Sequence, residues 1–288
     1  MFRPLLAFVM VGCGVLSAAA PDSKALAAQA TQPAKEIELD CGQGVTMKLV
    51  YIPPGKFTMG APENELPRGI DEIQHTVTLT RPFHMGATEV TQTQWQLVMG
   101  TTIAQQRDKC HESSPLYGEG PNHPMYYVSW HEAADFCRKL SDRTGKKLRL
   151  PTEAEWEYAC RAGTTTAFHT GATISTDQAN YDGTYVYGPG FKGISRRTTV
   201  AVGSLAPNPW GLYHVHGNVE EWCADGYAPY PKGDATDPTG PANGTQRVVR
   251  GGSWGCSPQN LRSAARSAWA PDIRFNAFFG LRVAMDLP

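Results

Sequence analysis

Apolar and polar residues alternate along residues 45–60, VTMKLVYIPPGKFTMG, on both sides of a Pro-Pro-Gly break. A period of two sends successive side chains to opposite faces of a strand, so this segment predicts two strands joined as a hairpin. Residues 75–83 (HTVTLTRPF) predict a further strand, with Val77 and Leu79 on one face. Three stretches change to helical spacing. Residues 91–99 place Trp95 and Val98 on one side. Ser129 and Glu132 form a capping box, in which hydroxyl and carboxylate each satisfy a backbone N–H that the first helical turn leaves open. The apolar stripe Ala133, Cys137 and Leu140 follows. Thr152 and Glu155 repeat the box after Pro151, ahead of Trp156 and Ala159. Residues 164–206 carry no period and much Gly, Thr and Tyr, which predicts a long irregular connection of the kind usually organised by a ligand or ion.

Composition narrows the class. The 288 residues are 41% hydrophobic and 18% charged, with 29 Gly and 22 Pro, so a loop-rich domain with a full core is expected. Lys and Arg number 26 against 27 Asp and Glu, which leaves no basic footprint for nucleic acid. Arg3 followed by an apolar run over 5–20 and small residues reads as an export signal within residues 1–30. Ala25-Leu26-Ala27 and Ala28-Gln29-Ala30 both fit a cleavage site. An uncleaved anchor, and a lipobox ending at Cys13, are the competing readings. No later stretch reaches the ~18 apolar residues of a spanning helix. Residues 31–44 are polar and read as a tether. The expected compartment is the periplasm, where Cys41, Cys110, Cys137, Cys160, Cys223 and Cys256 are able to form up to three disulfides.

Further motifs occur in order: IPPGKFTMG (52–60), EVTQTQW (89–95), PMYYVSWHEAADFCRKL (124–140), KLRLPTEAEWEYACRAG (147–163), GLYHVHGNVEEW (211–222), RVVRGGSWGCSPQNLRSAARS (247–267) and FGLRVA (279–284). Together they resemble the formylglycine-generating enzyme, or sulfatase-modifying factor, family over roughly residues 45–285. The resemblance implies a single α+β domain over 45–288, with that family's variant of the C-type-lectin-like fold and little regular secondary structure. Founding members oxidise a sulfatase cysteine with oxygen and copper(I), held by two cysteines separated by four residues. The first matches Cys256; the second position holds Leu261. A lone thiol is a poor copper(I) site, so copper and sulfatase activation are not expected. Cys137 and Cys160 match family disulfide positions whose partners match Ser263 and Val283 here, so that pairing cannot apply.

By the same resemblance, Cys256 and Ser253 are the candidate catalytic residues, and Trp222, Trp254 and Arg266 the candidate substrate contacts. Asn218 and Glu221 match a structural calcium site, with Glu220 standing where the family has Trp. Asn180 matches a second calcium site whose acid corresponds to Pro189. Other readings stay open. Cys256 fits a disulfide with Cys110 or Cys223. The tryptophans fit a core, and Arg262 and Arg266 fit buried fork donors to carboxylates. His214 and His216, if on a strand, share a face and could hold a metal. The resemblance reaches a periplasmic branch of the family that matures the chromophore of the siderophore pyoverdine. It implies a dihydropyoverdine-like small-molecule or peptide precursor oxidised to the dihydroxyquinoline, oxygen as the candidate electron acceptor, and other periplasmic maturation enzymes as partners. The alternatives are a non-catalytic binding module on the same fold and a protein-cysteine oxidase with an altered metal site.

Overall fold

The computed structural model describes Met1 and residues 34–65, 67–110, 115–241, 243–274 and 277–287. The export signal lies outside the described residues, apart from Met1. Residues 34–44 are part of the folded domain. The stretch expected as a tether supplies strand β1 (Glu36–Gly42), which pairs antiparallel with β2 (Val45–Ile52). Its alternation of acid with Ile37, Leu39 and Cys41 is that of an edge strand with one wet face, and Leu39 and Cys41 are buried. Composition over this stretch read as polar because every second residue faces water.

Strands β3 (Gly55–Met59), β4 (His75–Leu79), β5 (Phe83–Gly86), β6 (Leu148–Arg149) and β7 (Glu220–Gly226) follow. The chain then forms β8 (Ala235–Thr236), β9 (Arg247–Arg250), β10 (Arg266–Trp269), β11 (Phe279–Gly280) and β12 (Ala284–Asp286). They build three sheets, ordered β1-β2-β5-β12-β6, β10-β9-β7-β11 and β3-β4-β8. The expected hairpin over 45–60 does not form. Both strands exist, but β2 pairs with β1 and β5 while β3 pairs with β4. Pro53 and Pro54 lack the N–H groups a shared ladder would need, and they carry the chain from one sheet to the next. The last strand, β12, inserts between β5 and β6, so both ends of the domain close the same sheet.

The helices start where the capping boxes place them. α1 (Gln92–Met99) is capped by Thr91, α3 (Trp130–Thr144) by Ser129 and α4 (Glu153–Arg161) by Thr152, each with its reciprocal Gln or Glu bond present. A short helix α2 (Ile103–Asp108), boxed by Thr102 and Gln105, was not evident from periodicity because it is little more than one turn. Trp95 stacks on Phe136 (5.6 Å) where α1 meets α3, and both are buried with Leu49, Val128 and Leu281. α4 carries Trp156 and Cys160 into a second core with Ile52, Met85 and Val248. Residues 164–206 hold no helix and only isolated bridges, as expected. They gather a small core of their own from Phe168, Ile174, Tyr181, Tyr187 and Leu261. Among the described residues, no helix is long and apolar enough to cross a membrane.

Four buried arginines tie the loops to this frame. Arg282 donates to both oxygens of Glu221 and to the carbonyls of Gly86 (2.8 Å) and Tyr213 (2.7 Å). Arg250 and Arg161 share Glu157, and Arg262 grips Glu72 through two nitrogens (2.7 and 2.9 Å). A planar fork matched to a carboxylate survives burial because each charge meets its partner; Arg250 Nε alone of these groups lacks an acceptor among the described residues, with Glu153 Oε1 3.6 Å away.

Candidate functional site

The C-terminal loop turns on two glycines. Gly251 and Gly252 adopt φ of +94° and +68°, and a Cβ on Gly252 would lie 2.7 Å from Leu261 Cδ1. A left-handed backbone with no room for a side chain requires glycine. The turn is pinned to the strand beside it. Gly217 N–H donates to Gly251 O (2.8 Å), and Trp254 N–H to Asn218 O (3.0 Å).

This brings Ser253 and Cys256 against Glu220 at the start of β7. Ser253 Oγ lies 3.2 Å from Cys256 Sγ, and the thiol donates to Glu220 Oε1 at 3.3 Å. Burial pushes the Glu220 carboxyl up to about 7, with the Cys256 hydrogen bond pulling slightly the other way. Burial, and then the Glu220 charge, push the Cys256 thiol up to about 12. At neutral pH the thiol therefore keeps its proton, and the carboxyl is the group poised to gain or lose one. Behind them is a cavity of about 10 Å³ lined by Glu220, Gly251, Gly252 and Asn260, room for about one water. Trp254, expected as a substrate contact, is buried in the core; its indole N–H donates to Ala277 O (3.2 Å), and it stacks on Tyr117 (4.8 Å) and meets Phe278 edge-on (5.2 Å), both only partly buried.

Glu220 entered the sequence reading only as a departure from a calcium motif. Its meeting with Cys256, 36 positions on, depends on β9 returning antiparallel beside β7. The signal available was the replacement itself, an acid where the family places an indole.

Other expected residues go elsewhere. Trp222 is 0% exposed, donates its indole N–H to Val128 O (2.8 Å) and packs on Phe279, so it belongs to the core and not to a substrate surface. Arg266 spends Nε and Nη2 on the two oxygens of Glu153 (2.8 and 2.7 Å) between the rings of Tyr227 and Tyr230. It is a structural fork, as is Arg262. Asn218 Oδ1 already accepts from Asn180 Nδ2 (3.0 Å) and Val200 N–H (2.9 Å). Glu221 accepts from Arg282 and from Trp156 Nε1 (2.7 Å). With these oxygens committed, the Asn218 and Glu221 pair does not fit a calcium ion. Asn180 Oδ1 is buried without a partner among the described residues, but the acid its family site needs is Pro189.

His214 and His216 do not lie on a strand; His214 has φ +54°. His216 instead stacks on His169 (4.9 Å) and contacts Leu261 O (2.6 Å), with burial and then the neighbouring imidazole lowering it to about 3. Cys41, Cys137, Cys160, Cys223 and Cys256 are free thiols, which removes the disulfide reading of Cys256. Cys160 Sγ sits 3.7 Å from Ser263 Oγ, so the two positions are neighbours even though one has lost its sulfur.

The family model for the sulfatase-modifying factor enzyme 1-like domain matches residues 34–287. The chain belongs to the formylglycine-generating enzyme family. It is 30% identical to the mouse formylglycine-generating enzyme, over 96% of this chain and 86% of the mouse protein. Among solved structures, Treponema denticola variable protein 1 is similar at 28% identity and a TM-score of 0.71, covering 88% of this chain and 99% of that one. PvdO from Pseudomonas aeruginosa is similar at 27% and 0.69, covering 87% and 98%. These matches support the lectin-like fold of the family expected from the motifs. Within the family pattern, Leu261 fills the place of the second cysteine, fully buried in the small core beside Gly252. The donor set that would grip copper(I) between two thiolates is replaced by one protonated thiol and one carboxyl.

Proposed function

We propose that this protein carries out a periplasmic oxidation in the maturation of a pyoverdine-type siderophore chromophore, taking a dihydropyoverdine-like precursor to its dihydroxyquinoline. The observation that carries the reading is the pairing of Cys256 with Glu220, a carboxyl at about 7 that touches the one sulfur this chain keeps of the family's copper pair. The likeness to PvdO and the resemblance read from the motifs support it. The precursor's catechol ring would lie against the partly exposed rings of Tyr117 and Phe278, which pack on the buried Trp254. Desaturation would release two electrons and two protons from the ring system; Glu220 would take up one proton and pass it on, so that oxygen receives both electrons and both protons and leaves as hydrogen peroxide. The Cys256 proton would hold the carboxylate in place, with Ser253 steadying the sulfur.

The test is the purified protein with precursor and oxygen, following chromophore fluorescence and peroxide. Glu220→Gln should lower the rate by about 10²–10⁴-fold while the fold is retained. Full activity in that variant, or unchanged mature fluorophore after deletion of the gene, would refute the reading. One observation favours a second reading, a binding module without chemistry. The cavity at Glu220 admits about one water, and an inert thiol needs no reaction to explain it. Precursor binding without turnover would decide for that alternative.

A further inference from the structure

Apart from Met1, the large apolar side chains that stand exposed among the described residues fall on two segments. Ile70 and Ile73 lie on one, and Tyr185, Val186, Phe191 and Ile194 on the other. Phe191 is 87% exposed and Ile194 63%, too much apolar surface in one region for the random scatter of a monomer.

The exposure is built in. Asp182 bridges to Ser195, Gly193 N–H donates to Gly183 O (2.7 Å), and Thr173 Oγ1 donates to Tyr187 O (2.8 Å). Ile194 N–H is held by Thr176 Oγ1 (3.2 Å). A loop closed by these bonds cannot fold its apolar side chains back under itself. Residues 183–197 contain Lys192, Arg196 and Arg197 and no acid; Lys192 and Arg197 are exposed. Two acids lie at its base, Asp182, which holds Thr184, and the exposed Asp177 beside Thr176, so the loop's three cations outnumber them.

We infer that the 183–197 loop docks on an anionic lipid surface. Single apolar side chains separated by glycines and flanked by cations suit a soft interface, where rings and aliphatic chains enter the acyl boundary and Lys and Arg stay among the headgroups. The base of the loop meets the site, because Asp182 N–H donates to Cys256 O (2.9 Å). Docking thus holds the Cys256 turn close to the bilayer, whatever substrate the site takes.

The test uses the full chain carrying Phe191→Trp, with phosphatidylcholine vesicles containing or lacking phosphatidylglycerol. The added indole should shift its emission to the blue and be quenched by brominated lipid, and more so at low salt. Seven tryptophans are native, so the readout is the difference between Phe191→Trp and wild type with the same vesicles, which cancels their signal and that of any binding through residues 5–20. Phe191→Ser with Ile194→Ser should lower vesicle partitioning about tenfold, and Lys192→Glu with Arg197→Glu should abolish the preference for anionic lipid. Unchanged emission from the introduced indole at saturating vesicle, in a folded protein, would overturn the inference. So would concentration-dependent self-association that the Phe191 and Ile194 substitutions abolish.

Discussion

Replacing Glu220 by Gln should make the protein more stable in alkaline solution and leave it unchanged in acid. Glu220 moves from an ordinary 4.5 to about 7 on folding because burial disfavours its charged form. A pKa raised in the folded state means that the favourable contribution is fully present below about 4.5 and is lost as pH climbs through about 7. At about 1.4 kcal/mol per pH unit of displacement, ionising the folded carboxyl costs about 3 kcal/mol more than ionising it in the unfolded chain. Glu89 and Asp225 are also pushed up by burial, to about 8 and about 7, so the wild type alone would not isolate Glu220. The difference between wild type and Glu220→Gln does. Denaturant unfolding from about pH 4 to about pH 9 should show the variant gaining up to about 3 kcal/mol over the wild type, or about 6–12 °C in Tm for a domain of this size. A difference that stays flat across that range would refute both the shifted carboxyl and its proposed place in proton transfer.

Two further predictions concern the frame around the site. Ser263→Cys should close a disulfide with Cys160, whose sulfur already lies 3.7 Å from the serine oxygen; thiol titration in denaturant should find two fewer free sulfhydryls than in the reduced variant, with stability raised by about 2–4 kcal/mol. Failure to oxidise in air would show the two side chains diverge. Arg282→Met should cost about 3–5 kcal/mol, since it strips Glu221 of a buried partner; a loss below about 1 kcal/mol by thermal unfolding would mean the pair is not what holds these loops.

The helix starts at Ser129 and Thr152 were legible because a capping box is local, spanning four residues and satisfying N–H groups within one turn; the start at Thr91 was read from the spacing of Trp95 and Val98, and the structure adds its box with Gln94. The glycine-rich turn before Cys256 was legible as a motif, and its positive φ values explain it. Strand existence could be read from alternation, but partners could not. The break at Pro53 and Pro54 looked like a hairpin turn, and only the sheets show that it separates two of them. The same limit applies to the tether, where a wet edge strand and an unstructured linker have the same composition.

The sequence by itself determined the family, the capped helices, the irregular stretch over 164–206 and the loss of the second thiol at Leu261, because each is written in neighbouring residues or in motif identity. The tertiary structure decided what the solitary thiol touches, which oxygens of Asn218 and Glu221 are already spent, and that Trp222 and Arg266 face the interior. Those outcomes depend on contacts between residues far apart in the chain, Cys256 with Glu220 and Glu221 with Arg282. Burial, which sets the charge state of each group, belongs to the packed domain and to no segment of it.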